Sequence, residues 1–418
     1  MILGSAAATY PQPMARRLIH FFDLTPDALR DWCCEHSMAT FRAQQVLDWV
    51  YRKGVVDPAN MTNLSQRDRD TLTSEMMFLS GGTIAHQVAS DGVQKLLIAW
   101  RDAENSHLPL EEGQREMDPN APFPTDESRG EVRAARDLPL LLVRQPGVKS
   151  DSDNARTTEC VLIPASGRKT ACISSQVGCP VGCHFCASGL GGLEGNLSAG
   201  RIVEQVWRLG QLEGVGRVSN VVFMGMGEPL ANLGNVEQAI RAIAAPWGMG
   251  ISARKITVST VGLPQAIERF AASMDLPVTL ALSLHAPTDE LRRQLIPWAK
   301  YSTIEQLVAA CTVWFDKTGR EITLEYTLLA GVNDSSQCAA QLAQIARHLR
   351  SNVNLIRYNE VEGLPYARPR SDDVRAFQAV LRSAGVNSHI RASRGRDIAA
   401  ACGQLRRESA NTGATGAI

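Results

Sequence analysis

The chain has 418 residues, 44% of them hydrophobic and 21% charged, and its 43 basic side chains balance 43 acidic ones. This length suffices for a large core plus an accessory domain, and the neutral balance means that any basic surface is local. No apolar run is long enough to cross a bilayer, and the first residues lack the pattern of a signal peptide, so we expect a cytoplasmic protein without a membrane partner.

The N-terminal part is predicted to comprise a disordered tail (1–19) and a small helical accessory domain (20–90). In DLTPDALRDWCCEH, Thr25 and Pro26 are typical of a helix N-cap and first turn. The stretch FRAQQVLDWVYRKGV places four apolar residues near one helical stripe: Phe41, Val46, Trp49 and Val50. Core packing is the first interpretation of this stripe, and docking of RNA is the functional alternative.

A strand-containing linker region is predicted over 91–164. Strands are expected at 92–100 (GVQKLLIAW) and 158–164 (TECVLIP), on either side of a polar insertion at about 101–153. The insertion is rich in Glu, Asp, Pro and Asn and has no sustained period, which is typical of a disordered segment.

The segment 165–405 alternates apolar runs with helical stretches, and a second disordered tail is predicted over 406–418. Strands are predicted at TACISS, NVVFMG, KITVST, VTLALSLH, EITLEYTLL and VNLIRYN. Helices are predicted near 200–213, 233–245, 263–272, 303–318 and 335–350. Six successive βα units favour an α/β fold with a parallel sheet, either open or a partial (β/α)6 barrel, with its chemistry at the C-terminal strand ends.

A cysteine cluster follows the first of these strands. GCPVGCHFCASG contains Cys179, Cys183 and Cys186 in the spacing C-x3-C-x2-C. A zinc site would need a fourth ligand, for example His184 or His285. Three thiolates on a four-iron cluster leave one iron open, and an open iron can chelate the amine and carboxylate of S-adenosylmethionine. We favour the iron–sulfur interpretation.

The other cysteines do not form a recognisable scaffold. An even count of ten is not by itself a sign of disulfide pairing in a chain of this size. Five are expected to be small buried hydrophobic residues: Cys33, Cys34, Cys160, Cys311 and Cys338. The stretch GMGEP ends the second core strand, where its glycines permit close approach to a ligand and Glu228 offers a carboxylate to an ammonium group. Alone, this stretch is equally typical of an ordinary turn.

With these residues the chain resembles the RlmN/Cfr family of radical S-adenosylmethionine RNA methyltransferases, and RlmN most. The matching motifs include TECVLIP, ACISSQVGCPVGCHFC, NLSAGRIVEQV, VVFMGMGEPL, ITVSTVGLP, LALSLHAP, RYNEVEG and RASRGRDIAAACGQL. The resemblance runs from about 158 to 405, and FRAQQVLDWVYRKGVVDPANMTNLS is similar to the family's accessory domain. It implies a radical-SAM barrel that methylates C2 of adenine 2503 in 23S rRNA, with C2 of adenine 37 in tRNAs as a second candidate target.

Two alternatives stay open at this point. A C8 adenine methyltransferase of the Cfr kind would share every catalytic residue. A zinc-dependent RNA-binding module without catalysis is the remote alternative, although it gives Cys402 and Cys172 no role. The resemblance also implies one [4Fe-4S] cluster, an electron donor such as flavodoxin or ferredoxin, and a monomeric enzyme.

The family chemistry assigns roles to three further residues. By similarity, Cys402 accepts a methyl group from one S-adenosylmethionine, and a second one yields the radical that activates this S-methyl group for addition to adenine. Cys172 matches the thiolate that then releases methylated RNA, leaving a disulfide. Glu159 matches a glutamate that takes the ring proton, although Cys172 is an alternative acceptor and a surface glutamate at a strand edge is the structural alternative.

The cofactor contacts carry over by similarity to Gly227, Glu228, Ser259, Ser283, Leu284, His285 and Asn359. Just before Cys402, RASRGRD contains Arg391, Arg394 and Arg396, which we expect either to hold RNA phosphates or to form a solvated turn. The chain departs from the family pattern at GLEGNL, where Leu193, Glu194 and Gly195 replace an aromatic and a basic residue, and at the 101–153 insertion.

Overall fold

The computed structural model describes residues 18–100 and 156–405. The predictions for the two tails and for the 101–153 insertion therefore lie outside the described residues, except at the end of the first tail. There Ile19 belongs to strand β1 (Ile19–His20), which pairs with β2 (Met76–Met77), so the predicted tail is too long by at least this residue.

The N-terminal region contains three α-helices: α1 (Pro26–Glu35), α2 (Arg42–Leu47) and α3 (Gln66–Glu75). Thr25 caps α1 as predicted, because its hydroxyl accepts a hydrogen bond from the Ala28 amide at 3.2 Å. A π-helical turn continues α2, and Val46 and Val50 are buried while Phe41 is 58% exposed. Phe41 therefore does not belong to the buried stripe.

The prediction of helix up to residue 90 is wrong at its C-terminal end. Gly81–Val88 forms strand β3, which pairs antiparallel with β4 (Gln94–Trp100). Four consecutive residues of β3 are exposed, and since successive side chains point to opposite faces, both faces of this edge strand are open to solvent along its middle. Its apolar content is too low for a clear strand pattern, which explains the error.

The main sheet has ten strands within the described residues, in the order β14-β13-β12-β11-β10-β9-β6-β5-β4-β3. Besides β3 and β4, they are β5 (Thr157–Ala165), β6 (Arg168–Cys172), β9 (Asn220–Phe223), β10 (Ile256–Thr260), β11 (Thr279–Ser283), β12 (Ile322–Leu328), β13 (Ser351–Arg357) and β14 (Ser388–Arg391). All seven from β6 to β14 are parallel. The six predicted core strands are present, and β14 is a seventh that was not predicted.

Helices connect these strands: α4 (Ala199–Gly210), α5 (Leu233–Ala244), α6 (Pro264–Ser273), α7 (Asp289–Leu295), α8 (Ile304–Thr318), α9 (Ser336–Arg347) and α10 (Ser371–Ser383). The five predicted helices are confirmed to within a few residues, whereas α7 and α10 were not predicted. Side-chain caps begin several of them, and the clearest is the capping box of α8 between Thr303 and Gln306.

The strand register separates the two faces of the sheet. One face belongs to the large apolar core under the helices, with members such as Ala171, Val221, Val258, Leu280 and Leu324. Paired residues on neighbouring strands point to the same face of the sheet, and so do residues two apart on one strand. By this rule the other face carries a more polar set of side chains: Cys172, Ser259, Ser283, Glu325, Asn354 and Arg391.

A contact across the sheet shows that this polar face curves inward. Arg391 on β14 lies 3.5 Å, from Nη1 to Sδ, from Met224, which follows β9. Five strand spacings separate β14 from β9, which is about 24 Å in a flat sheet and beyond the reach of an arginine. The sheet is therefore rolled into a partial barrel, and its polar face is the inner one.

Candidate active site

The three clustered cysteines lie in a loop between two short strands, β7 (Gln176–Gly178) and β8 (Leu193–Asn196), which pair antiparallel. The loop is held by hydrogen bonds from the Cys179 amide to the Gly192 carbonyl (2.9 Å) and from the Cys186 amide to the Cys183 carbonyl (3.1 Å). All three thiols reach the same cavity at the C-terminal ends of the parallel strands. Burial raises the pKa of Cys179 to about 12, so these thiols need a cation to become thiolates.

This donor set fits an iron–sulfur cluster better than a single ion. Within residues 18–100 and 156–405, no three His, Cys, Asp or Glu side chains are grouped to hold one metal ion. The two histidines considered as fourth zinc ligands have other roles, since Nδ1 of His184 contacts the Gln294 carbonyl and Nδ1 of His285 accepts the Thr327 amide. In an iron–sulfur cluster each thiolate binds a different iron, so the three cysteine side chains need not converge on one metal ion.

The Glu228 loop lies against the cysteine loop. Gly227 has φ +105°, and a Cβ at this position would lie 2.7 Å from Ser175 Oγ, so only glycine fits. The Glu228 amide donates to Gln176 Oε1 at 2.8 Å, and its carboxylate accepts the Leu230 and Val261 amides at 3.0 and 2.8 Å. Burial raises the pKa of Glu228 to about 7 against these hydrogen bonds. The Thr260 side chain is a third donor to this carboxylate, which has about four acceptor sites and therefore keeps one for an ammonium group.

Ser259, Ser283 and His285 continue the cavity wall along β10, β11 and the residues after it. The two serine hydroxyls are 3.0 Å apart. His285 is a non-glycine residue with φ +57°, and its carbonyl accepts Asn333 Nδ2 at 2.8 Å. Burial and the nearby Arg292 lower the pKa of His285 to about 3, so the ring is neutral. Because Nδ1 accepts the Thr327 amide, Nε2 carries the proton and is a donor.

Most predicted site residues line this one cavity: Cys179, Cys183, Cys186, Gly227, Glu228, Ser259, Ser283, His285 and Cys402. Leu284 is fully buried behind the wall. Asn359 is buried beside the cavity, where its Nδ2 lies 3.4 Å from the Cys402 carbonyl and its Oδ1 accepts Arg368 Nη1 at 2.9 Å. Asn359 therefore supports the segment that carries Cys402.

Cys402 is an exposed residue on the cavity wall, in an irregular segment after β14. The Gly403 carbonyl accepts the Ala187 amide at 2.7 Å, which ties this segment to the cysteine loop. Surrounding protein raises the pKa of the Cys402 thiol, and the charge of Arg391 opposes this effect. The Cys402 side chain is therefore accessible from the cavity, while protein groups lie close on its other sides.

Cys172 lies at the end of β6, buried in a small apolar cluster with Val161, Met226, Ala400 and Leu405. Burial raises its pKa to about 12, Cys402 adds to the increase, and Arg391 opposes it. The two thiols are therefore near enough to interact. Both are free, so the implied disulfide is not present in this structure.

Glu159 is not a surface residue, contrary to the structural alternative. It lies on β5 with 2% of its surface exposed, and its Oε1 is 3.0 Å from Nζ of Lys95, which is also buried. Lys95 was missed by the sequence analysis. The available signal was a lysine inside the apolar run of GVQKLLIAW, a position where charge is rare unless paired.

The surroundings of Arg391 exclude one of its two predicted alternatives, the solvated turn. Its side chain points into the barrel toward Met224 and interacts with Glu325, Cys402 and Cys172, so it is not part of a solvated turn. Glu325, another buried residue on the cavity wall, accepts Asn354 Nδ2 at 2.9 Å. Polar residues inside the apolar runs of β12 and β13 were the signal that could have revealed Glu325 and Asn354.

A buried arginine supports the cavity from behind. Arg292 on α7 is 1% exposed and donates to the carbonyls of Leu284 and Val261, two residues at neighbouring strand ends. Burial lowers its pKa to about 10, and the nearby Cys183 opposes this effect. It was missed because α7 was not predicted.

Comparison with known proteins identifies the family. The family model described as "Radical SAM superfamily" matches residues 173–341, and that described as "Ribosomal RNA large subunit methyltransferase N-terminal domain" matches residues 19–77. A protein of Rhodopirellula baltica named "Probable dual-specificity RNA methyltransferase RlmN" is 38% identical over 95% of this chain and 93% of its own length. The chain belongs to the RlmN family of radical S-adenosylmethionine RNA methyltransferases.

Other RlmN relatives agree over similar lengths. The "Dual-specificity RNA methyltransferase RlmN" of Dichelobacter nodosus is 35% identical over 93% of this chain and 94% of its own. A crystal structure of a radical SAM methyltransferase from Sphaerobacter thermophilus matches with a TM-score of 0.78 and 34% identity, covering 93% of this chain and 99% of that one. As a radical SAM family member, the protein uses a [4Fe-4S] cluster and S-adenosylmethionine. None of the described helices is long and apolar enough to span a membrane.

Proposed function

We propose that this protein methylates C2 of an adenine in RNA, with adenine 2503 of 23S rRNA as first target and adenine 37 of tRNAs as second. The observation that carries this proposal is the position of Cys402. Its thiol shares one cavity with the three clustered cysteines and with Glu228, while Cys172 lies within electrostatic range of it. A carrier thiol is useful only next to both a methyl source and a second thiol.

Different residues around the cavity would bind the cluster and S-adenosylmethionine. Cys179, Cys183 and Cys186 would hold the cluster, and Glu228 would accept the ammonium of S-adenosylmethionine beside the closely packed Gly227. Ser259, Ser283 and His285 would contact its remaining polar groups, with Leu284 and Asn359 supporting the wall. When bound, these groups supply the methyl group and the radical chemistry that an electron-poor aromatic carbon requires.

The protein's own side chains would carry out the remaining steps. Cys402 would take the methyl group on sulfur and present it to the adenine. Glu159 would accept the proton that leaves C2, and Cys172 would attack the sulfur of Cys402 to release the RNA, so that a transient disulfide forms. Arg391 favours ionisation of both thiols by its charge. We further propose a monomeric cytoplasmic enzyme that takes electrons from a flavodoxin or ferredoxin.

The carrier role is tested with Cys402→Ala. We expect loss of RNA methylation with unchanged iron and sulfide content, because the cluster ligands lie on another loop. Cys338→Ala is the matched control, since Cys338 lies in the first turn of α9, outside the cavity. Mass spectrometry of the modified nucleoside measures activity and separates C2 from C8 methylation. RNA methylation by Cys402→Ala at the wild-type level would contradict the carrier role of Cys402.

A further inference from the structure

The segment carrying Cys402 is attached to the turn between β3 and β4. The Ser90 amide donates to Asp397 Oδ2 at 2.8 Å, and the Gly395 amide donates to Asp91 Oδ2 at 3.0 Å. Lys95 Nζ lies 3.4 Å from the Ala399 carbonyl. Ala399 has φ +47°, a conformation that costs free energy and persists only where surrounding contacts hold it. The hairpin therefore fixes the backbone of this segment just before Cys402.

Lys95 also forms a buried ion pair. Its Nζ is 3.0 Å from Glu159 Oε1, and the two residues are 4% and 2% exposed. Such pairs contribute little net stability, because the desolvation of both charges offsets their attraction. The ammonium of Lys95 is buried, and its partners are the Glu159 carboxylate and a backbone carbonyl of the segment that carries Cys402. Because the ion pair adds little net stability, we look for another role of Lys95.

The strand register brings this pair to the reaction side of the sheet. Lys95 lies opposite Val161, and Val161 lies opposite Cys172, so all three share the inner face of the barrel. Glu159 is two residues from Val161 on the same strand and shares that face. The charged groups facing this region are thus Lys95, Glu159 and, near Cys172, Arg391.

We propose that Lys95 is a positioning residue for the removal of the adenine proton, linking Glu159 to the segment that carries Cys402. This inference rests on the proposed function. In the proton transfer, the C2–H bond of the adduct breaks, its electron pair stays on the ring, and an O–H bond forms on Glu159. Lys95 neither gains nor loses a proton in this step. Through its ion pair it orients the Glu159 carboxylate, and through Ala399 it holds Cys402 at a fixed distance from that carboxylate.

The test separates the charge of Lys95 from its tie to the backbone. Lys95→Gln keeps a donor for the Ala399 carbonyl but has no charge, Lys95→Met has neither, and Lys95→Arg keeps the charge. Each variant is assayed for iron content, S-methylation of Cys402, and methylation of an RNA fragment with hydrogen or deuterium at adenine C2.

We expect Lys95→Gln and Lys95→Met to S-methylate Cys402 normally but to methylate RNA about 100-fold more slowly, the size of a general-base contribution. Deuterium at C2 is expected to slow both variants more than the wild type, because proton removal becomes limiting. Lys95→Arg is expected to restore most activity and to remove the additional isotope effect. This pattern does not arise from a merely structural defect.

Two results overturn the inference. One is a Lys95→Gln variant with the wild-type rate and isotope effect. The other is a Lys95→Gln variant that contains iron but fails to S-methylate Cys402, which would assign Lys95 to the segment alone. If the Lys95→Met protein loses its iron, that variant is misfolded at the site, and the Lys95→Gln variant decides the question. Failure of the proposed function itself would appear separately, as activity of Cys402→Ala.

Discussion

Two cysteines with different surroundings share one arginine. Cys172 is buried at the end of β6, whereas Cys402 is exposed to the cavity, yet Arg391 lowers the pKa of both thiols against the larger opposing effect of burial. A guanidinium that acts on two thiols suits a reaction in which each must act as a thiolate in turn. Glu325, itself hydrogen-bonded to Asn354, interacts with Arg391.

Cys172→Ala tests the release step at the residue scale. Without the second thiolate, the bond between Cys402 and RNA cannot be broken by attack on sulfur, so we expect a covalent protein–RNA complex to accumulate. A denaturing gel with labelled RNA measures it. Cys160→Ala is the control, because Cys160 is equally buried but belongs to the core on the outer face of the sheet. Repeated turnover by Cys172→Ala without any complex would contradict the release role.

Residues that follow a local pattern were predictable, and residues that act through tertiary contacts were not. The spacing of three cysteines and the GMGEP strand end are local, and the structure brings these residues to one cavity. Lys95 and Arg391 lie far along the chain from their partners, so their roles depend on strand register. Arg391 in particular has the same local sequence setting as an exposed basic turn.

At the scale of elements, α4 connects the N-terminal region to the barrel. Glu204 on α4 accepts hydrogen bonds from the amides of Ser80 and Gly81 at 2.9 and 3.1 Å and lies 3.1 Å from His20 Nε2. Burial alone would raise the pKa of Glu204, but His20 and Arg208 lower it to about 2. Because α4 begins three residues after β8, this cluster also anchors the hairpin that holds the cysteine loop.

We expect Glu204→Gln to reduce the free energy of unfolding by about 3–5 kcal/mol at neutral pH, because the Arg208 guanidinium loses its buried countercharge and His20 loses its carboxylate partner. The folded-state pKa lies below the ordinary value of 4.5, so this stabilisation is complete above pH 4.5 and is lost as the pH falls toward about 2. Urea unfolding at several pH values measures it.

The exposed Glu213, just beyond α4, provides the control, since Glu213→Gln is expected to change stability by less than about 0.5 kcal/mol. The difference between the wild type and Glu204→Gln should narrow as the pH falls below 4.5. A difference that stays constant would show that Glu204 does not act through its charge.

Elements with a strong hydrophobic period were predicted, and short or edge elements were not. β12 is buried along nearly its whole length and gives a clear apolar run. β14 has four residues and β3 is exposed along its middle, so neither has a pattern that stands out from a loop. α10 is an exception, because it is amphipathic and its helical period is visible in the sequence.

For the whole molecule, the order of strands explains why the site needs nearly the full chain. The first parallel strand supplies Cys172 and leads into the cysteine loop, and the segment after the last one returns with Cys402. The antiparallel strands β4 and β5 add Lys95 and Glu159 beside them. The sequence predicted the parallel core, but the closure of the barrel by β14 and the return of the C-terminal segment depend on long-range packing.

The most direct test of the central claim follows the fate of deuterium from S-adenosylmethionine bearing a CD3 group. The anaerobically reconstituted protein is given a 23S rRNA fragment, and the methylated adenine and 5′-deoxyadenosine are analysed by mass spectrometry. Our account predicts two deuteriums in the new methyl group and one in 5′-deoxyadenosine, because one hydrogen is removed from the methyl group carried by Cys402. Transfer of all three deuteriums intact would contradict it.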